Sequence, residues 1–249
     1  MDPAPYAARQ PSVSYASLAS GEASPSGLLP ALELLAAHGV VFIDGVPPTT
    51  EATESLCRTL VGGRPLRETH YGQFWDFTAD MSRGDLAYSN QALGAHTDGS
   101  YFVDPAGLQI FHLLAHPPPG TGGESLLVDG FTCAAVFRAE HPADFAVLSR
   151  LKTPAVAAGS KGFLYHTSEG HPVFAHDQRG RLVGIRWNNE DRARMGGAAE
   201  GWAVEDVDAW YVAARRWEAV VRRPEHQVWV KLQPGTTVGA SSSCAATCS

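Results

Sequence analysis

Several things that would settle the class of this sequence at once are scarce or missing. It has four cysteines in 249 residues, Cys57, Cys133, Cys244 and Cys248. The first two lie far apart in apolar, helix-like surroundings and the last two lie in the final residues. Neither a disulfide framework nor a zinc spacing can be drawn from them, and a reducing compartment suits them best. Clustered basic charge is missing as well: 19 Lys and Arg face 26 Asp and Glu, for a net charge of -7. Nucleic-acid grooves and anionic membrane surfaces select the opposite balance, so neither is expected as a partner. No apolar run reaches membrane-spanning length without charge. The opening "MDPAPYAARQPSVSYASLASGEASPSG" lacks the apolar core of a signal peptide and the arginines of a mitochondrial transit peptide. A cytoplasmic protein is the expectation, with mitochondria as the alternative. No internal repeat is visible.

What is present is the material of one sizeable core: 44% hydrophobic and only 18% charged residues. Helical apolar spacing runs through "LLPALELLAAHG", with Gly39 as its end cap, and "VVFIDG" follows as a buried strand. "TEATESLCRTL" reads as a second helix with Thr50 as N-cap. "GLQIFHLLA" and "ESLLVDG" are strand-like runs bounded by Gly and Pro, and "FTCAAVFRAEHPADFAVLSRL" reads as two helices split at His141-Pro142. "GFLYHTS", "HPVFAHD" and "RLVGIRWNN" read as successive strands, with "DQRG" turning between the last two. "EDVDAWYVAARRWEAVVRR" sets Val207, Trp210, Ala214, Trp217 and Val221 on one helix face, and "QVWVKL" alternates as a further strand. The expectation is a mainly β fold with helical support, built on a jelly-roll core. From Gly239 onward only Gly, Ala, Ser, Cys and Thr remain. Nothing in that segment offers a barrel a large interior side chain, so the jelly roll is expected to be incomplete at its C-terminal side, with an open strand edge.

The chemistry-bearing stretch is "GAHTDGSYFVD", residues 94–104. In a strand, residues i and i+2 share a face, so His96 and Asp98 can present an imidazole and a carboxylate to one ion. That is two thirds of the facial triad that suits non-haem Fe(II). Alone the triplet is common by chance, and a surface turn with a satisfied histidine reads equally well.

The run "HTDGSYFVDPAGLQIFHLLAHPPPGTGGESLLVDGF" resembles the 2-oxoglutarate-dependent oxygenases of the taurine-dioxygenase type, and among them the carnitine-biosynthesis branch of trimethyllysine and γ-butyrobetaine dioxygenases. The likeness continues upstream through "RETHYGQFWDFTADMSRGDLAYSNQALGAHTD" and downstream through "IRWNNEDRA" and "RRPEHQVWVKLQPG". It runs from about Leu28 to Val238. On this resemblance residues 1–27 are a flexible lead-in, 28–238 an Fe(II)/2-oxoglutarate oxygenase domain with a double-stranded β-helix core, and 239–249 a tail foreign to the family.

The resemblance implies Fe(II) as metal, 2-oxoglutarate as cosubstrate and ascorbate as supporting reductant, with His96 and Asp98 as metal ligands. It places Ser125 against the 2-oxoglutarate carboxylate, though a strand-start serine reads as well there. It places Tyr71, Trp75 and Tyr88 as an aromatic cage for a trimethylammonium group. The physics agrees: a quaternary ammonium has no N–H to donate and is held by ring faces, at roughly 0.5–2 kcal/mol per contact. Plain core packing remains the alternative for each ring. Asp85 falls where the trimethyllysine enzymes carry Asp and the butyrobetaine enzymes Asn. Its carboxylate would pair with an α-ammonium and repel a bare carboxylate. Asn188 falls at a second polar substrate contact. The implied reaction is C3 hydroxylation of N6-trimethyllysine, releasing succinate and CO2. A non-catalytic trimethylammonium-binding or regulatory form and γ-butyrobetaine hydroxylation are the alternatives, and a homodimer is kept open. In the family the third iron ligand is a His, and an Arg beyond it anchors 2-oxoglutarate. No His follows His226 and no Arg follows Arg223, so impaired turnover is the expectation for this chain.

Overall fold

The computed structural model describes residues 10–19, 25–76, 93–115, 123–158, 162–167, 169–195, 202–241 and 244–248. Two sheets face each other across a shared core. The first orders its strands β1 (Ser12–Ser14), β2 (Val40–Asp44), β10 (Thr236–Ser241) and β3 (Leu108–His112). The second orders β11 (Cys244–Cys248), β4 (Ser125–Asp129) and β9 (Gln227–Val230). Two hairpins complete the strands: β5 (Val156–Ala158) with β6 (Leu164–His166), and β7 (Phe174–His176) with β8 (Leu182–Ile185).

Strand periodicity explains the layers. On β2, Val40 and Phe42 point between the sheets, where they meet Leu127 of β4 and Val238 and Ala240 of β10. Val41 and Ile43 point the other way, onto α1 (Tyr15–Ala19), α2 (Pro25–His38) and α3 (Thr50–Leu60) through Leu18, Ala31, Leu56 and Leu60. On β4, Leu127 faces inward while Leu126 and Val128 pack outward. Their partners are α4 (Gly130–Glu140), α5 (Pro142–Arg150) and α6 (Val204–Val221). An aromatic stack centres that outer layer: Phe145 lies on Phe174 at 4.6 Å, and Trp217 meets Phe174 edge-on at 5.0 Å. Trp210 and Trp217, two positions of the apolar face read from the sequence, are 2% and 1% exposed.

The helix ends follow their local chemistry. Gly39 closes α2 with φ 71°, its N–H reaching Leu35 O at 2.8 Å. The cap of α3 is Thr49 rather than Thr50: its hydroxyl accepts from Ala52 N at 3.2 Å. Asp129 caps α4, and Pro142 at the first turn of α5 enforces the expected split.

Three expectations need correction. The described chain is mixed helix and strand rather than mainly β, with six α-helices beside the strands among the described residues. The lead-in, whose sequence leaves room for one short strand, contains that strand as β1, parallel to β2 in register Ser12↔Phe42 to Ser14↔Asp44, and in addition the helix α1. The boundary at Val238 is not a structural one: β10 crosses it and lies between β2 and β3, paired antiparallel to both. The reason is that a strand's ladder is made by its backbone. Gly239 sits over Val41 and Leu108, where an added Cβ would find contacts of 3.5 and 3.7 Å, and Ala240 is 1% exposed in the inter-sheet core. Small residues fill that place because the large ones come from the neighbouring strands. Beyond it, β11 pairs with β4 from Cys244↔Asp129 to Cys248↔Ser125, so a strand covers the outer edge of β4.

Candidate metal half-site and aromatic wall

His96 and Asp98 do not lie on a laddered strand. They sit in an irregular segment ahead of β3 that keeps the strand alternation from 94 to 98: Ala95 and Thr97 are buried on one face, and His96 and Asp98 stand on the other. Thr97 supplies the anchor that a ladder would have given. Its N–H donates to Trp187 O at 2.7 Å, and its hydroxyl accepts from Trp187 N at 2.8 Å. Trp187 is itself tied to α6, its indole N–H donating to Glu218 at 2.9 Å.

The turn after Asp98 is held from the segment that follows β8. Arg186 donates to the carbonyls of Phe102 at 2.5 Å and Val103 at 2.7 Å, with a longer contact to Ser100 O at 3.4 Å. Burial lowers the Arg186 pKa, and nearby Asp104 works against this. Ser100 donates its hydroxyl to Asp191 at 3.0 Å, and Asn188 donates its amide to the same oxygen at 3.0 Å. Gly99 has φ 68°, and a Cβ there would meet the Phe102 ring at 3.0 Å, so this corner requires glycine.

Within this frame His96 and Asp98 converge. Gly94 O can only accept, so the His96 Nδ1 that lies 2.8 Å from it carries the proton. The lone pair of Nε2 is then turned to Asp98 Oδ1 at 3.1 Å. Two acceptors brought this close call for a cation between or beside them, a proton or a metal ion. The titration directions say the same. Burial lowers the His96 pKa, but the hydrogen bond and charge of Asp98, Gly94 O and the charge of Asp191 outweigh it, and the net shift is upward. For Asp98 burial acts upward, but the bond and charge of His96 and the Gln109 amide bring the carboxyl below its ordinary value. A carbonyl-oriented imidazole beside a carboxylate is the donor chemistry of a ligated Fe(II). The two residues therefore fit the metal as two of its protein donors. No third His, Cys, Asp or Glu joins them among the described residues. Three other histidines there are engaged elsewhere: His112 Nδ1 bonds Thr53 at 2.7 Å, His226 donates to Val220 O at 2.7 Å, and His176 stands edge-on to Phe145 at 5.8 Å.

Two of the three cage aromatics are brought together. Tyr71 and Trp75 stack at 4.2 Å and 14°. A wall the sequence reading missed continues from them: His70 lies 4.0 Å from Tyr71 and 3.9 Å from Phe163, and Tyr101 stacks with Tyr165 at 5.6 Å. Tyr101 follows Asp98 by three residues, so the wall and the half-site share one segment of chain. Tyr88 and Asp85 lie outside the described residues. Ser125 is buried at the start of β4, opposite Val230 of β9. Asn188 is engaged within its own turn, its Oδ1 accepting from Glu190 N at 3.0 Å as its amide serves Asp191. Gln109, Arg186 and Thr97 were absent from the sequence reading. Of these only Thr97, inside the His-x-Asp triplet, stood where attention was already drawn.

The family model described as "Taurine catabolism dioxygenase TauD, TfdA family" matches residues 9–241. The chain belongs to this family. TauD-family membership runs through β1 at one end and β10 at the other, beyond both limits expected from the sequence. Trimethyllysine dioxygenase of Meyerozyma guilliermondii is 42% identical over 199 residues, covering 80% of this chain and 48% of that protein. The human protein named "Trimethyllysine dioxygenase, mitochondrial" is 39% identical over 211 residues, covering 84% and 48% respectively. The chain thus spans about half the length of the curated relatives it matches. Among solved structures, a taurine dioxygenase from Burkholderia xenovorans shares the fold with a TM-score of 0.59 at 16% identity, covering 90% of this chain and 75% of that one. A TauD-family dioxygenase implies Fe(II) and 2-oxoglutarate, and His96 and Asp98 are the residues that would hold the metal. No helix among the described residues is long and apolar enough to cross a membrane.

Proposed function

We propose that this chain carries the catalytic core of a trimethyllysine dioxygenase, which hydroxylates C3 of N6-trimethyllysine in carnitine biosynthesis. The observation that carries the reading is the identity of 34–42% to proteins of that name over 80–91% of the chain. The converging His96–Asp98 pair beside an aromatic wall supports it. Bound Fe(II) with 2-oxoglutarate would supply the O2 chemistry, with ascorbate keeping the metal reduced. His96 and Asp98 fix the metal's place. Ring faces of Tyr71, Trp75 and Tyr88 hold the trimethylammonium end, where no hydrogen bond is available. Asp85 and Asn188 meet the amino-acid end, so the substrate is gripped at both ends and its middle is presented to the metal. Ser125 contacts the 2-oxoglutarate carboxylate. The core is a double-stranded β-helix, to which the two facing sheets contribute.

Among the described residues only His96 and Asp98 converge as metal donors, and two donors hold iron weakly, so low turnover by this chain is the expectation to test. Purified chain with Fe(II), ascorbate, 2-oxoglutarate and trimethyllysine in air, followed by mass spectrometry, tests this. Hydroxylated trimethyllysine appearing only after a family-type C-terminal segment is appended supports the reading. Succinate release that ignores trimethyllysine in both forms refutes it. Asp85→Asn is expected to shift preference toward γ-butyrobetaine. The cytoplasmic placement stands as a proposal against the mitochondrial one suggested by the relatives' names, and imaging of the tagged protein decides between them.

A further inference from the structure

The two oxygens of Asp98 are held differently. Oδ1 faces His96 Nε2 at 3.1 Å, on the side where the lone pairs converge. Oδ2 lies 2.5 Å from Gln109 Nε2. A carboxylate oxygen of an ionised Asp can only accept, so the amide must donate. Gln109 reaches Asp98 from β3, two residues before Phe111 and hence on the same, inter-sheet face. Its backbone is fixed by the ladder with β10, where it opposes Ala240.

We propose that Gln109 is a positioning residue that makes Asp98 a one-oxygen metal ligand. The inference rests on the metal reading of His96 and Asp98 above. An unrestrained carboxylate can chelate through both oxygens and so occupy two coordination positions. A facial site must keep its remaining positions for the cosubstrate and O2, and a chelating Asp98 would take one of them. The Gln109 amide opposes this by engaging Oδ2, the oxygen that does not face His96. Being neutral, it donates without titrating and adds no positive charge to repel the metal. The geometry also explains a division of labour. Residues 96–98 lie in an irregular segment, where side-chain aim is loosely set, and Gln109 lies on a laddered strand. The hydrogen bond refers the carboxylate's orientation to the sheet.

The test uses the full chain, with Gln109→Leu and the near-isosteric Gln109→Met, and His96→Ala as the reference without the site. Mn(II) binding is followed by loss of the free-ion electron paramagnetic resonance signal. Infrared difference spectra with 13C-labelled Asp report how the carboxylate binds. Thermal unfolding verifies that each variant is folded, and the Met variant serves if the Leu variant is not. Expected is a fall in Mn(II) affinity of about 10- to 100-fold. The separation between the carboxylate stretching bands should also narrow, as it does when both oxygens bind. Unchanged affinity and unchanged band separation in a folded variant would overturn the role of Gln109 while leaving the metal reading intact. Wild-type binding no tighter than that of His96→Ala would overturn both.

Discussion

His112 and Gly99 show how much individual side chains are asked to tolerate. His112 lies on β3, facing α3. The Thr53 hydroxyl donates to Thr49 O at 2.8 Å, so it accepts from His112 Nδ1 at 2.7 Å and fixes the tautomer. Nε2 is buried without a hydrogen-bond partner among the described residues, and burial lowers the pKa. The folded state therefore resists protonation that the unfolded chain accepts near pH 6.5. The contribution of neutral His112 to stability is fully present above that pH and is lost as pH falls below it. Urea midpoints measured from pH 8 to pH 5 should decline less steeply in His112→Asn than in the wild type; equal slopes would contradict the assignment. Gly99→Ala forces a positive φ on a residue with a Cβ and presses it on Phe102. A loss of about 1–2 kcal/mol in urea unfolding is expected. That His96 meets Asp98 and Tyr71 meets Trp75 could be anticipated, because each pair is local in sequence. The contacts of Gln109 and Arg186 could not, because each acts on a partner brought near only by folding. Arg186 meets the Val103 carbonyl across 83 positions of chain.

Among the elements, the segment from Gly94 to Asp104 is one that secondary structure does not hold. Its geometry comes from Thr97 on Trp187, Ser100 on Asp191 and the Arg186 fork on two carbonyls. Arg186→Lys keeps the charge and loses the fork. Faster amide hydrogen exchange at residues 99–104 is expected, with opening easier by roughly 1.5–3 kcal/mol, while exchange in α6 should be unchanged. Exchange that rises equally in both would mean that Arg186 supports the whole domain instead. The helices were legible because their apolar positions recur at helical spacing and their ends carry cap residues. β10 was not. "TTVGAS" has a single large apolar residue, and strand pairing with β2 and β3 leaves no mark in composition. β5 is a three-residue pairing with β6 and too short for any period to show.

At the scale of the molecule, β10 is the keystone of the first sheet, since β2 and β3 are each bonded to it and not to each other. A chain stopped after Val238 keeps the three pairs Thr236↔Asp44, Thr237↔Ile43 and Val238↔Phe42 and loses those of Gly239 and Ala240. It also loses the buried Ala240 and the Gly39-capping bond from Ser241 N at 2.8 Å. Loss of cooperative thermal unfolding, read by calorimetry, is expected; an unchanged transition would show that the last residues are dispensable. That "VVFID" and "SLLVD" are strands covered on both faces was foreseeable from their unbroken apolar runs, but strand order was not, because it joins residues nearly 200 positions apart. That separation governs how the protein is made. As the chain leaves the ribosome, β2 and β3 emerge well before β10, and the two cannot be joined in one sheet until it follows. Until then Val40, Phe42 and Phe111 have no completed sheet to cover them, and two strand edges stand open to other chains. A protein of this design must therefore keep such edges apart until β10 docks between them.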